Sequence, residues 1–235
     1  MKGKLILSLF PGVDLLGRAF AAAGFCVVLG PDKILCSDIR NFRPPAGRFD
    51  GIIGGPPCQD FSGLKRIKTG YSLQMINEFK RVVKEVKPDW WLMENVSGVP
   101  DCKIDGYGWQ RFELNLSWYR GCTRLRHFQF GHRLGLQIDV EKLRPVEADS
   151  YHATVTANDK RSFEAMCQLQ GLIDPLVLAD FNLAGKKKLI GNGVPMELGH
   201  TLARTIKEQI YGEDLCDQER FEIEQDYLDS EPDDD

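Results

Sequence analysis

The sequence predicts an α/β fold: a doubly wound, mainly parallel sheet with helices on both faces, plus a very small second lobe. Three observations predict it. Short apolar runs at Lys4 to Leu9, Ile52 to Ile53 and Trp90 to Met93 each stop abruptly, as strands buried on both faces do. Stretches of helical period lie between and after them. A first turn bearing Gly12 joins the first run to a helical stretch, the β-turn-α-β order of nucleotide-binding sheets.

Each element has a local cause. Lys4 to Leu9 ends at Phe10-Pro11-Gly12. Asp14 is placed to cap a helix through Arg18 and Ala23, which Gly24 stops. Phe25 to Leu29 makes the second strand, broken by Gly30-Pro31-Asp32. Ile52 and Ile53 run into Gly54-Gly55-Pro56-Pro57, so Cys58 follows a stiffened turn at a strand end, where open sheets place their chemistry. Gln74 to Val86 carries Met75, Ile76, Phe79, Val82, Val83 and Val86 on one helical face, and Pro88 ends it. Trp90 to Met93 delivers Glu94 to the edge that holds Cys58. Arg124 and Arg126 alternate on one strand face, suited either to phosphate and a base oxygen or to surface ion pairs. Ser162 to Leu169 reads as a short helix and Lys186 to Lys188 as a basic loop. A last helix spans about Met196 to Tyr211.

Composition narrows the class. At 235 residues, 43% hydrophobic and 27% charged, the chain can bury one substantial core. No apolar run reaches membrane-span length, and Pro11, Gly12 and Asp14 cut the first run short, against a signal peptide or anchor. Seven scattered cysteines without a C-x-x-C pair suit a reducing cytoplasm and argue against a disulfide framework or zinc. The four histidines form no ligand pattern, so no metal is expected. The net charge of −4 hides an asymmetry: residues 213–235 hold 12 acidic residues and one basic residue. The remainder carries 29 basic and 22 acidic residues, a body of +7 that suits a polyanion, and the acidic block reads as a disordered, solvated tail.

Pro56-Pro57-Cys58-Gln59-x-Phe61-Ser62, with Glu94-Asn95-Val96 downstream, resembles the nucleophile and glutamate motifs of the DNA (cytosine-5) methyltransferases. Ser37-Asp38-Ile39, the Arg124-x-Arg126 pair and Gly191-Asn192-Gly193-Val194-Pro195 match further family motifs in order, over roughly residues 4–211. The resemblance is greatest to compact, stand-alone phage members. It departs at Asp14, Leu15 and Ala19, which replace glycines, at Gly30, where an acidic residue usually grips the ribose, and at Cys122, which stands for a glutamine.

The resemblance implies a Rossmann-like domain that transfers methyl from S-adenosylmethionine to cytosine C5 in double-stranded DNA. Cys58 would be the nucleophile, Glu94 the partner of N3, Arg126 the holder of the base oxygen, and Arg124 a contact to phosphate or the active-site loop. Cofactor contacts are expected from Phe10, Gly12, Asp14, Asp32, Asp38, Pro56, Met75, Asn192 and Val194, with Asp14 serving equally well as a helix cap. DNA contacts are expected from Gln59, Ser62, Arg124, Lys186 and Lys187. The expected layout is a catalytic and cofactor domain over 1–131, a reduced recognition lobe over 132–190, a returning helix over 191–212, and the tail. A monomer in the bacterial cytoplasm, in a phage or restriction-modification setting, with a short or relaxed target completes the reading. Two alternatives stand beside it: a tRNA cytosine-5 methyltransferase, although the Cys-Phe-Thr insertion of that branch is absent, and a degenerate DNA-binding or decoy member.

Overall fold

The computed structural model describes residues 3–61, 68–143, 152–172, 176 and 178–212. Six strands form one sheet: β1 (Leu5–Leu9), β2 (Cys26–Leu29), β3 (Gly51–Gly54), β4 (Trp90–Asn95), β5 (Gly108–Asn115) and β6 (Leu125–His132). Their order is β2-β1-β3-β4-β6-β5. The first four are parallel, while β6 runs antiparallel to β4 and to β5. The helices are α1 (Leu15–Ala22), α2 (Tyr71–Val86), α3 (Phe163–Leu169), α4 (Leu183–Asn192) and α5 (Met196–Tyr211).

Side chains of β4 alternate between two apolar layers, which is why Trp90 to Met93 are all apolar. Trp90 and Leu92 join Ile6, Phe20, Phe128, Phe130, Leu198 and Leu202 under α1 and α5. Trp91 and Met93 join Leu7, Ile52, Ile76 and Phe79 under α2. Two glycines make room for the tryptophans. A methyl at Gly51 would stand 2.3 Å from the Trp90 ring, and one at Gly131 2.4 Å from Trp91. Burial of each such side chain contributes roughly 1.5–3 kcal/mol, and large aromatics more.

Four details differ from the sequence reading. Strand β5 was not anticipated; its apolar residues are few, and its burial alternates only partly because it closes the sheet edge. Lys186 to Lys188 lie inside α4 rather than in a loop, because Asn182 caps that helix through Gly185 N–H at 2.9 Å. Asp14 occupies the position before α1 but in the left-handed region, with no side-chain capping bond; its carboxylate instead accepts from Ser8 Oγ at 2.7 Å. Residues just after β6 belong to the main body: Ile138 and Val140 join the layer under α5, and the Asp139 backbone exchanges two hydrogen bonds with Gln209. A separate small core, Val155, Phe163, Met166, Cys167 and Ile190, forms the lobe. The acidic tail lies outside the described residues.

Candidate active site

The sheet register gathers three strand ends. Leu9 pairs with Gly54 and Gly54 with Met93, so Phe10, Gly55 and Glu94 emerge together at the carboxyl edge. The loop after β3 turns back at once, with Phe61 N–H donating to Cys58 C=O at 2.9 Å. Cys58 is half-buried. Asn95, at the end of β4, fastens this loop by donating from Nδ2 to Pro56 C=O at 2.9 Å.

Glu94 is buried, and its carboxylate lies against the backbone of the cysteine loop: a methyl at Gly55 would stand 3.2 Å from Glu94 Oε2. Arg126, from the facing strand β6, brings Nε to 2.8 Å from Glu94 Oε1. The contact is an ion pair rather than an aligned hydrogen bond. Burial raises the Glu94 pKa, against the pull of Arg126 and Arg124. Burial, and then the Glu94 charge, likewise raise the Cys58 thiol, which Arg126 and Arg124 partly offset. Burial thus works against the charged form of both groups, and the two arginines work for it.

Arg124 is placed differently from expectation. It is 1% exposed, and its guanidinium donates to the carbonyls of Val155, Gly191 (2.6 Å) and Gly193 (2.9 Å). Burial and neighbouring Arg126 push it down to about 9. Turned inward and bonded to two segments, at Val155 and at Gly191 to Gly193, it ties them to the start of β6. Lys187 is also turned inward, donating from Nζ to the Asp159 and Arg161 carbonyls, while Lys186 lies over the Phe163 ring. Gln59 is exposed beside Cys58, and Ser62 lies outside the described residues.

The expected cofactor residues fall into two groups. Phe10, Gly12 and Asp14 all have positive φ, at 54°, 58° and 57°, so the turn after β1 is a strained series of left-handed residues. Asp32 fixes that turn: Oδ2 accepts from Gly12 N–H at 3.0 Å and Oδ1 from Ile34 N–H at 2.9 Å. Nothing would meet a methyl on Gly12 within 4 Å, so the turn borders open space. The Asp14 carboxyl beside it is raised by burial, against the lowering effect of Ser8. Pro56 is buried next to Cys58 and Asn192 is exposed at the end of α4. Asp38, by contrast, is held by Arg40 through both oxygens, which lowers it to about 2. Met75 and Val194 are core residues, 2% and 6% exposed, and present little surface to a ligand.

Three further residues shape this edge; the sequence reading held Asp60 and Asn95 only as members of their motifs and gave Gln129 no role. Asp60, Asn95 and Gln129 are buried polar groups bonded to backbone, and Gln129 holds the segment after Glu94 through Cys102 N–H and Pro100 C=O. A polar residue inside an apolar run, as Gln129 is in Phe128-Gln129-Phe130, was the available signal. Among the described residues no group of three or more His, Cys, Asp or Glu could hold a metal ion, and no helix is long and apolar enough to cross a membrane.

Comparison with known proteins places this geometry in a family. A family model described as C-5 cytosine-specific DNA methylase matches residues 8–104, which include Cys58 and Glu94. The Type II methyltransferase M.FnuDI of Fusobacterium nucleatum is 32% identical over 112 residues, 40% of this chain and 33% of that protein. M.HgiGI of Herpetosiphon aurantiacus is 30% identical over 119 residues, 42% of this chain and 94% of that protein. The chain spans between a third and about half of the first curated relatives it matches. In fold it resembles a prophage-encoded E. coli protein described as a DNA modification methyltransferase, with TM-score 0.66 and 16% identity, covering 89% of this chain and 100% of that one. With the motif-bearing segment matched by the family model and M.HgiGI matched along nearly its whole length, this chain belongs to the C-5 cytosine-specific DNA methylase family.

Proposed function

We propose that the protein methylates C5 of cytosine in double-stranded DNA, using S-adenosylmethionine and a covalent adduct on Cys58. The observation that carries this reading is the convergence of the half-buried Cys58 thiol, the buried Glu94 carboxyl and Arg126 at one sheet edge.

Cytosine C5 is a weak nucleophile, and the chain's residues supply what it lacks. The Cys58 sulfur forms a bond to C6, and the ring electrons move toward C5. Glu94, whose pKa burial raises, shares a proton with N3 and stabilises the charge that builds there. Arg126 orients Glu94 and offers its remaining donors to the base oxygen. When Glu94 holds its proton, the negative charge that raises the thiol is gone, so the two groups favour each other's working state. After transfer, water takes the C5 proton, its bonding electrons restore the C5–C6 double bond as the S–C6 bond breaks, and N3 returns its proton to Glu94, which frees Cys58. The base must first leave the duplex, at a cost of a few kcal/mol.

The turn after β1 fits the cofactor. Phe10 would lie along the adenine, the open side of Gly12 would admit the methionine portion, and the half-buried Asp14 carboxylate would pair with its ammonium. When bound, the cofactor supplies an electrophilic sulfonium methyl. Residues 1–131 would form the catalytic and cofactor domain, closed by α5, with the lobe around Val155 to Ile190 facing DNA.

Transfer of labelled methyl from S-adenosylmethionine to duplex DNA and to tRNA, run side by side, tests the reading. Label in duplex cytosine is expected. Label in tRNA alone would overturn the substrate assignment, and label in neither would overturn the activity.

A further inference from the structure

The segment that carries Cys58 is fastened on both sides. Upstream, Asn95 holds Pro56. Downstream, two residues past the nucleophile, Asp60 is 4% exposed and serves as the anchor. Its Oδ1 accepts from Thr69 N–H at 2.9 Å and from Thr69 Oγ1 at 3.1 Å, and its Oδ2 accepts from Ser72 N–H at 2.9 Å. Its own N–H donates to Ser72 Oγ at 3.1 Å, and Ser72 is fully buried. Gly70, the residue before α2, has φ 75° and no side chain to cap the helix, so Asp60 caps α2 from ten residues upstream. On the other side of the loop, a methyl at Gly98 would stand 2.7 Å from Phe61 C=O, so the segment after Glu94 packs directly on the turn after Cys58.

From this geometry we infer that Asp60 is a positioning residue for the nucleophile: its carboxylate ties the Cys58 turn to the start of α2 and so fixes where the thiol stands relative to Glu94. The inference rests on the proposed methyl transfer for its consequence, although its geometry does not. The carboxylate is matched to the task because its two oxygens receive N–H groups from two different residues, Thr69 and Ser72, at once. An amide offers one acceptor oxygen and turns an NH₂ toward a donor, so Asp60→Asn breaks one tie while changing the volume little. A cap that served α2 alone would stabilise the helix without affecting Cys58.

The test compares wild type, Asp60→Asn and Thr69→Val in the full chain, at a temperature where circular dichroism shows each folded. Covalent trapping on a 5-fluorocytosine duplex, with saturating S-adenosylmethionine and DNA, is expected to slow tenfold or more in Asp60→Asn, with half-saturating concentrations within threefold of wild type. Thr69→Val, which removes one donor to the carboxylate, is expected to slow it about threefold and decides the matter if Asp60→Asn does not fold. Iodoacetamide labelling, read peptide by peptide, gives a readout independent of DNA. The Cys58 rate relative to exposed Cys26 is expected to rise at least threefold in Asp60→Asn, while buried Cys102 and Cys167 stay unlabelled. Wild-type trapping and an unchanged Cys58 to Cys26 ratio in a folded variant would overturn the inference. A wild-type protein that traps no duplex would count against the methyl-transfer reading instead, and the labelling ratio would still decide the role of Asp60.

Discussion

Arg126 Nε stands 2.8 Å from Glu94 Oε1, with the two side chains only 15% and 12% exposed. A pair this sealed costs desolvation that its mutual attraction only partly offsets, so its value lies in what it does to the groups around it. The neighbour that feels it is Cys58.

The signs of that coupling are opposite and testable. The Glu94 charge raises the Cys58 thiol and the Arg126 charge lowers it. Glu94→Gln therefore shifts the pH midpoint of Cys58 alkylation downward, and Arg126→Met shifts it upward. Labelling with iodoacetamide between pH 6 and 10, followed by peptide mass spectrometry, measures both. Midpoints that move together, or in the reverse order, would show that the pair does not control the thiol.

Cys58→Ala is expected to abolish methyl transfer and leave S-adenosylmethionine binding within a few-fold, because the turn after β1 does not depend on the thiol. A 5-fluorocytosine duplex should trap wild type as a covalent complex, since the adduct then carries no C5 proton to lose, and should leave Cys58→Ala free. Denaturing gel shifts read the trap and calorimetry reads the cofactor. Residual transfer by Cys58→Ala would remove the nucleophile from the mechanism.

The strands that carry the site were legible because each is a short apolar run stopped by glycine, proline or a charge, as with Ile52-Ile53-Gly54-Gly55-Pro56 and Trp91-Leu92-Met93-Glu94. Helix α5 was legible for the same kind of reason: its apolar face repeats at helical spacing and Gly212 ends it. What was not legible depends on partners distant in sequence. Arg124 reads as a strand-surface arginine until Gly191 and Gly193 fold back on it from 67 and 69 residues away. Asp60 reads as a polar loop residue until the start of α2 closes over it. The three lysines read as a basic loop because like charges obscure the helical period of Leu183, Ile190 and the Asn182 cap.

Arg124 supplies the next prediction. Arg124→Met would leave the Val155 and Gly191 carbonyls without this donor, while Gly193 keeps Gln170 Nε2 at 3.2 Å, and each buried unsatisfied group costs about 1–3 kcal/mol. Urea unfolding should show a loss of several kcal/mol. The salt dependence of DNA binding, measured on the folded fraction at low temperature, should keep its slope, whereas loss of a phosphate contact would reduce that slope by about 1. A reduced slope with little loss of stability would return Arg124 to the DNA surface.

The last prediction concerns how much sequence this chain can read. Among the described residues between β6, which ends at His132, and α3, which starts at Phe163, several side chains are committed to the fold. Ile138 and Val140 are committed to the main core and Arg161 to Asp159. Among the described residues the lobe's own core holds five buried residues, so it can brace few projecting side chains. Lys187 is drawn inward as well. Fixing four or more base pairs takes several side chains held in the major groove, each worth roughly 1–3 kcal/mol of discrimination. One or two such contacts distinguish a short target, with phosphate contacts supplying the rest of the affinity. Bisulfite sequencing of a genome exposed to the protein should therefore show methylated cytosines in a context of fewer than four fixed bases, with graded occupancy at related sites. A fully methylated motif of four or more fixed bases on a clean background would mean that a lobe this small reads a complete site.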